Sequence, residues 1–213
     1  MASYFDLYDE GRIALFKLQE GENDARLLLL WACDTDMTHV LTEYTTSVVP
    51  EENVKKYREA IALRKTGMPL QYITHESDFC GLHLYVDENV LVPRFDTEVL
   101  VEKVLSDNKN LEVTVLDMCT GSGCIAIALT KLGGYKEVYG SDISRKALEI
   151  ADSNAEANGV SITFYESDMF EQLDGLRNLD IIVSNPPYIL DCEKAQMRSN
   201  VLDYEPSLAL FVP

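Results

Sequence analysis

Residues 113–132 read VTVLDMCTGSGCIAIALTKL, and this stretch decides the fold. The run from Val113 to Asp117 is short and apolar, which is typical of a strand buried on both faces of a parallel sheet. The turn Thr120-Gly-Ser-Gly123 follows, and Ile125 to Leu132 reads as an apolar helix that ends at Gly133-Gly134. A strand, a glycine turn and a helix in this order form the first half of a βαβ unit.

Strands and helices continue to alternate downstream of this stretch. Ser144 is predicted to cap a helix that ends at Asn158-Gly159. Short apolar runs predict three more strands, Glu137–Asp142, Ile162–Glu166 and Asp180–Ser184. This order predicts an α/β fold with an open, mostly parallel sheet and helices on both faces.

The first 75 residues read as helical. Asn23 is predicted to cap a helix through Leu27–Cys33, which is apolar on every side and therefore expected to be buried in a bundle. Another helix opens at Pro50 and stops at Gly67. Its basic residues form either a solvated face or a contact with an acidic partner; they are Lys55, Lys56, Arg58, Arg64 and Lys65.

A linker is predicted between the two regions. Phe79 to Val92 alternates in polarity and is interpreted as a β-hairpin with Asp87-Glu-Asn89 as its turn. Thr97 is predicted to cap the helix that follows. The predicted domains are a helical domain over 1–75, a hairpin linker over 76–92 and an α/β domain over 93–213.

The charge of the chain limits the kinds of partner that it can bind. The formal net charge is −18 over 213 residues. Residues 1–75 hold 8 of the 18 basic residues and 12 of the 36 acidic ones, so most of the excess negative charge falls on residues 76–213. Because binding to polyanions depends on neutralising phosphates, we expect neither stable nucleic-acid binding nor adhesion to an anionic membrane.

The sequence also indicates where the protein works. The longest apolar run, Leu27–Cys33, is far below the roughly 18 residues of a membrane span, and no signal peptide is visible at the start. The five cysteines include no CxxC pair, and the three histidines add no ligand spacing. We therefore expect a cytoplasmic protein with reduced thiols and no metal site.

Polar groups follow three of the predicted strands, where open α/β sheets bind ligands. Gly121 and Gly123 would let the backbone approach a ligand, and Asp142 could accept both hydroxyls of a ribose. Asp168 could accept from an adenine amine, with Met169 against the ring. A Walker loop is missing, so we predict S-adenosylmethionine as the cofactor. The alternatives are a tight turn without a ligand and an Asp142 that only caps the next helix.

The fourth strand is followed by Asn185-Pro-Pro-Tyr188. A planar amide or ring amine is a poor nucleophile because its lone pair is delocalised, so it must be held in line with the methyl group. The Asn185 side chain and the Pro186 carbonyl offer acceptors, and the two prolines restrict the backbone that carries them. Tyr188 offers an apolar wall. The motif predicts methyl transfer to such a nitrogen, with Asn185 and Pro186 as catalytic residues and no general base.

At these residues the sequence resembles the N5-glutamine methyltransferases that modify peptide-chain release factors. The resemblance covers essentially the whole chain. Besides the helical domain, the hairpin and the glycine turn, it rests on Pro69-Leu-Gln-Tyr-Ile73, Pro93-Arg-Phe-Asp-Thr-Glu98, Asp142, Asp168, Asn185–Tyr188 and Tyr204-Glu-Pro206.

The resemblance implies a class I, Rossmann-like methyltransferase sheet and a substrate, the glutamine of the Gly-Gly-Gln motif of release factors, which the N-terminal domain helps to hold. It places glutamine contacts on Asn185, Pro186, Pro187 and Tyr188. It places cofactor contacts on Asp142, Met169, Asn185 and the turn Cys119, Thr120, Gly121, Ser122 and Gly123. Three residues depart from the family pattern. Cys119 replaces a glycine, so a positive φ would be strained there. Phe95 replaces a proline, and Met169 replaces an aromatic residue.

The family's sheet has seven strands in the order 3-2-1-4-5-7-6, and the predicted strands here number four. We therefore expect a truncated product whose strand 180–184 is an uncovered apolar edge, capable of self-association. Two alternative functions stay open. One is methylation of an exocyclic base amine in DNA or RNA, which uses a similar motif. The other is a non-catalytic fragment that binds the cofactor or the release factor.

Overall fold

The computed structural model describes residues 2–197 and 199–212. It consists of two compact units that divide between Thr74 and His75. The first unit contains five helices, α1 (Tyr4–Ala14), α2 (Gly21–Cys33), α3 (Met37–Thr42), α4 (Glu51–Lys65) and α5 (Leu70–Thr74). Its core is built by apolar side chains that recur at helical spacing, among them the fully buried Leu7, Leu28, Leu29 and Tyr57.

Two expectations about α2 were wrong. The helix begins at Gly21 after Glu20, so Asn23 lies inside the first turn and does not cap it. Leu27 is 37% exposed, so the helix presents one side to solvent and is not buried all round. Helices α1, α4 and α5 all pack against α2, so the rest of the run Leu27–Cys33 is buried or half-buried.

Most basic residues of α4 have partners within the first unit. Arg64 Nε donates to Asp24 Oδ2 at 2.8 Å in a largely buried ion pair. Arg58 Nη2 lies 2.8 Å from Glu10 Oε2. Lys56 lies 3.8 Å from the centre of the Trp31 ring. These contacts fasten α4 to α1 and α2, so the basic side chains serve the packing of the bundle.

The second unit begins with a hairpin of β1 (Glu76–Phe79) and β2 (Leu82–Tyr85). Its turn is Cys80-Gly81, so the prediction that Asp87–Asn89 forms the turn of the hairpin was wrong. Cys80 and Gly81 have φ values of 51° and 76°, as a two-residue hairpin turn of the primed type requires. Asp87 instead closes a separate short turn, in which the Val90 amide donates to its carbonyl at 3.2 Å.

The main sheet confirms the four predicted strands, with bounds that differ by at most one residue. They are β3 (Thr114–Met118), β4 (Glu137–Asp142), β5 (Thr163–Glu166) and β6 (Ile181–Ser184). All pairs are parallel, and the order is β5-β4-β3-β6. A separate parallel pair joins β7 (Ile189–Leu190) to β8 (Phe211–Val212). The remaining helices are α6 (Phe95–Asp107), α7 (Cys124–Gly133), α8 (Arg145–Ala157), a 3-10 helix (Asp191–Gln196), α9 (Ser199–Tyr204) and α10 (Ser207–Leu210).

Within the described residues the long helices cover one face of this sheet, whereas helices on both faces were expected. Val115 and Val183 belong to the same core as Val101 of α6, Ile127 of α7 and Ala155 of α8. The opposite face, with Leu116 and Met118, is packed by the loop residues Leu173, Leu176 and Leu179. Right-handed crossovers that advance from β3 to β5 place their helices on one side. The connection that returns to β6 crosses the other side, and here it is a loop.

Candidate active site

The carboxyl ends of the parallel strands bring the predicted site segments to one edge of the sheet. Met118 of β3 and Ser184 of β6 are register partners, so the glycine turn and Asn185 leave the sheet side by side. Ser184 Oγ donates to the Met118 carbonyl at 2.6 Å, and this bond connects the carboxyl ends of the two strands. Met118 is also paired with Ser141 of β4, which places Asp142 on the other side of the turn.

The glycine turn is held by its own backbone. The Thr120 amide donates to the Ser141 carbonyl at 2.9 Å, and the Gly123 amide donates to the Thr120 carbonyl at 2.9 Å. At Gly121, with φ of 55°, an added Cβ would meet no atom within 4 Å. At Gly123 it would lie 3.1 Å from Ala151 Cβ. Gly121 therefore borders open space in which a ligand would fit, whereas Gly123 allows close packing of α8.

Cys119 adopts a positive φ, the backbone that would be strained for a residue other than glycine. Its φ is 60°, in the left-handed region that glycine adopts without a steric penalty. The thiol is half-buried, and burial is the main cause that raises its pKa, followed by the charge of Asp142. A thiol with a raised pKa stays protonated at neutral pH and is a poor nucleophile.

Thr120 and Ser122 lie in the turn but use their polar groups internally. Thr120 Oγ1 donates to Asp117 Oδ2 at 2.6 Å, and the Ala126 amide donates to the same oxygen at 3.1 Å. Asp117 is fully buried, and burial raises its pKa to about 7. Its Oδ1 has no hydrogen-bond partner among the described residues. Ser122 is buried as well, so neither side chain is presented to open space.

Asp142 joins the second strand end to the glycine turn. Its Oδ2 accepts from the Gly121 amide at 2.9 Å, and its Oδ1 accepts from the Ser144 amide at 2.9 Å. Burial raises the pKa of this carboxyl. Each carboxylate oxygen retains a further lone pair, so the group could still accept two hydroxyls. Ser144 also caps α8 through its side chain, as predicted, by accepting from the Ala147 amide.

The third strand end carries Asp168 and Met169. The buried Ser167 donates from its amide to the Asp142 carbonyl at 3.0 Å and from its hydroxyl to the Met169 carbonyl at 2.9 Å. Met169 has φ of 48°, and its side chain is exposed together with those of Asp168 and Phe170. Ser167 thus holds the segment beside Asp142, with three side chains free to contact a planar ligand.

The segment Asn185–Tyr188 follows β6. Asn185 Nδ2 donates to Thr97 Oγ1 at 3.2 Å. Pro186 and Pro187 are partly buried, and Tyr188 is 74% exposed. The strand pair β7–β8 begins directly after Tyr188 and holds the far end of the segment. The segment is therefore anchored at both ends, with its tyrosine ring accessible.

Four residues make contacts near this site that the sequence did not predict. The buried Asn154 bonds to the backbone of Ser122 and of Tyr85. Arg94 bonds to both carboxylate oxygens of the buried Glu205, at 2.5 and 2.6 Å. Thr97 does not cap α6, which follows Arg94 without a side-chain cap. Asn154 could have been found from the sequence. Helix interiors disfavour asparagine, so an asparagine inside a predicted helix indicates that its side-chain amide is hydrogen-bonded.

The described residues contain no group of three or more His, Cys, Asp or Glu side chains arranged to hold a metal ion. They also contain no helix with the length and apolar character needed to cross a membrane.

Two families match the two units of the chain. The family described as PrmC N-terminal domain matches residues 6–74, and the family described as Methyltransferase small domain matches residues 94–202. The second match spans the glycine turn, Asp142 and Asn185, so the site just described lies in a methyltransferase domain.

Curated relatives match both units together. The release factor glutamine methyltransferase of Flavobacterium psychrophilum is 49% identical over 70% of this chain and 53% of its own length. That of Streptococcus pneumoniae is 42% identical over 83% of this chain and 62% of its own length. That of Geobacter sulfurreducens is 39% identical over 90% of this chain and 68% of its own length. This chain spans about half to two thirds of these relatives, and it belongs to the release factor glutamine methyltransferase family.

Proposed function

We propose that this protein transfers a methyl group from S-adenosylmethionine to the side-chain nitrogen of the glutamine in the Gly-Gly-Gln motif of peptide chain release factors. The observation that carries the proposal is the placement of Asn185-Pro-Pro-Tyr188 beside the open glycine turn, on register-paired neighbouring strands. The names of the relatives support the same substrate.

The residues at the strand ends fit this cofactor. The open space at Gly121 would accept its methionine portion close to the backbone. Asp142 has lone pairs left for the two ribose hydroxyls, and Asp168 and Met169 are exposed where the adenine would lie. When bound, the cofactor supplies an electrophilic methyl group on a sulfonium.

The chain's own residues would position the nucleophile. Asn185 Oδ1 and the Pro186 carbonyl accept the two hydrogens of the glutamine amide, which orients the nitrogen toward the methyl group. The two prolines restrict the backbone around that carbonyl. Tyr188 covers one face of the planar amide. These acceptors would stabilise the positive character that develops on the nitrogen as the N–CH3 bond forms and the S–CH3 bond breaks. The thioether would be the leaving group, and the surplus proton of the methylated amide would pass to water, since no side chain is assigned as a general base.

Transfer of a labelled methyl group tests the proposal. The full chain is incubated with labelled cofactor and a purified release factor, with the Gln→Ala form of its Gly-Gly-Gln motif as the control substrate. We expect label in the wild-type factor alone. Label in purified DNA or RNA instead would identify the base-amine activity and overturn the proposal.

Asn185→Ala tests the role of the carboxamide. We expect a loss of about 10²–10³ in rate, because an acceptor that acts in the transition state is removed. The cofactor Kd should change much less. An equal loss in rate and in cofactor affinity would contradict Asn185 as the orienting group.

A second candidate, cofactor binding without turnover, is favoured by one observation. The match covers 53% of the length of the Flavobacterium relative, so nearly half of a protein that is named a methyltransferase has no counterpart in the match. Calorimetry that detects cofactor binding in a chain that incorporates no label would support it.

A further inference from the structure

Asn185 could hold its carboxamide in two orientations that occupy the same volume. A rotation of half a turn about the last side-chain bond exchanges Oδ1 with Nδ2. Only one orientation directs the acceptor oxygen toward an incoming amide. The other would direct an NH₂ group at the hydrogens of the substrate, and the two donors would repel each other. The motif itself contains nothing that selects between the two.

Thr97 contacts the nitrogen end of the carboxamide. It lies in the first turn of α6 and is 6% exposed. Its hydroxyl oxygen accepts from Asn185 Nδ2 at 3.2 Å, which leaves Oδ1 free of this contact. Because a hydroxyl can also donate, Thr97 would bond to Oδ1 if the carboxamide turned over. The contact therefore fixes the place of the carboxamide, and the two hydrogens of the substrate amide favour the orientation in which Oδ1 faces them.

The turn that carries Thr97 is itself held in place. The Thr97 amide donates to the Arg94 carbonyl at 3.0 Å. The Arg94 guanidinium is bonded to Glu205, whose side chain is 3% exposed. This ion pair therefore fixes the start of α6 and with it the position of the Thr97 hydroxyl.

We propose that Thr97 is a positioning residue, which holds the carboxamide of Asn185 in place through Nδ2, so that Oδ1 stays free to accept from the substrate amide. The proposal rests on the proposed function, because it assigns Thr97 a part in the same reaction. It acts through Asn185 and needs no contact between Thr97 and the substrate or the cofactor.

Thr97→Val and Thr97→Ser separate the hydroxyl from the shape of the side chain. Thr97→Val should lower kcat about tenfold, because one orienting hydrogen bond is lost, with the KM for the release factor and the cofactor Kd nearly unchanged. Thr97→Ser should keep most of the activity. The exposed Thr163 of β5 supplies the matched control, since Thr163→Val should leave kcat unchanged. Equal kcat in wild type and Thr97→Val would overturn the proposal.

A double-mutant cycle excludes a merely structural effect. If Thr97 acts through Asn185, Thr97→Val should lower the rate of the Asn185→Ala variant by less than twofold. Loss of the full tenfold factor in that background would show that Thr97 acts by another route. Thermal unfolding of each variant identifies a loss of folded protein, which would lower all rates together.

The amide resonances of Asn185 provide a readout that does not need activity. In the ¹⁵N–¹H spectrum, the signals of this NH₂ group are assigned by their disappearance in Asn185→Asp. They should shift in Thr97→Val and stay close to their wild-type positions in Thr97→Ser. Unchanged signals in Thr97→Val would overturn the contact. If the wild-type chain transfers no methyl group, the proposed function fails, and this measurement still decides whether Thr97 orients Asn185.

Discussion

The Nδ2 group of Asn154 donates to the Ser122 carbonyl at 2.9 Å and so ties α8 to the glycine turn. The same side chain pairs with Tyr85 of β2, where Oδ1 accepts from the amide at 2.7 Å and Nδ2 donates to the carbonyl at 3.0 Å. One buried amide thus satisfies three backbone groups, in the hairpin and in the turn.

We expect Asn154→Ala to destabilise the protein by about 2–4 kcal/mol, because it leaves buried backbone groups without partners. Urea unfolding measures the change. Asn158→Ala is the matched control, at the residue that follows the same helix directly. Its Nδ2 bonds to the His83 carbonyl at 3.0 Å in an exposed setting, so its loss should cost well under half as much. Equal costs at the two positions would contradict the role assigned to Asn154.

The positive φ of Cys119 predicts an unusual order of stability. Cys119→Gly should be more stable than Cys119→Ala by about 1 kcal/mol, because only glycine adopts this backbone without a steric penalty. At Asp152, an exposed position within α8, alanine should be the more stable of the two substitutions. Chemical denaturation of the four variants gives both differences. If alanine were more stable than glycine at position 119 as well, Cys119 would carry no backbone strain.

Asp117 should make the protein less stable as the pH rises. Burial raises the pKa of its carboxyl from 3.8 to about 7, so between these values the folded state binds more protons than the unfolded state. The contribution of Asp117 is therefore fully present below about pH 4 and is lost as the pH rises through 7. Asp117→Asn removes this titration. We expect its free energy of unfolding, measured from pH 4 to 7.5, to fall less than that of the wild type. Parallel curves would contradict the raised pKa.

The strand β6 is an edge strand of the described sheet, and we expect the protein to self-associate through it. Ile182 is 51% exposed on this strand, and an apolar strand edge can pair with a second copy. Sedimentation velocity should detect larger species as the concentration rises, and Ile182→Lys should reduce them. Leu132→Lys, a change at a similarly exposed site at the end of α7, should not. An equal effect of both substitutions would indicate non-specific adhesion.

Patterns within a few residues were sufficient to predict the strands of the main sheet and the start of α8. Apolar runs predicted β3 to β6 to within one residue, and Ser144 was predicted to cap α8. The replacement of a glycine by Cys119 marked a position where a positive φ would be strained, and the structure shows that φ is positive there. Local signals misplaced the hairpin turn, because three consecutive polar residues at Asp87–Asn89 are typical of a turn, whereas the backbone reverses at Cys80-Gly81.

The sequence by itself determined the order of strands and helices and the segments that follow each strand, because these depend on periodicity and turn chemistry within a few residues. Only the tertiary structure decided which side chains meet. Asn154 and Tyr85 are 69 positions apart, Asn185 and Thr97 are 88, and Arg94 and Glu205 are 111. Such contacts depend on how α6 and α8 pack on the sheet, and packing is set by the shape and burial of the whole core, which no local pattern encodes.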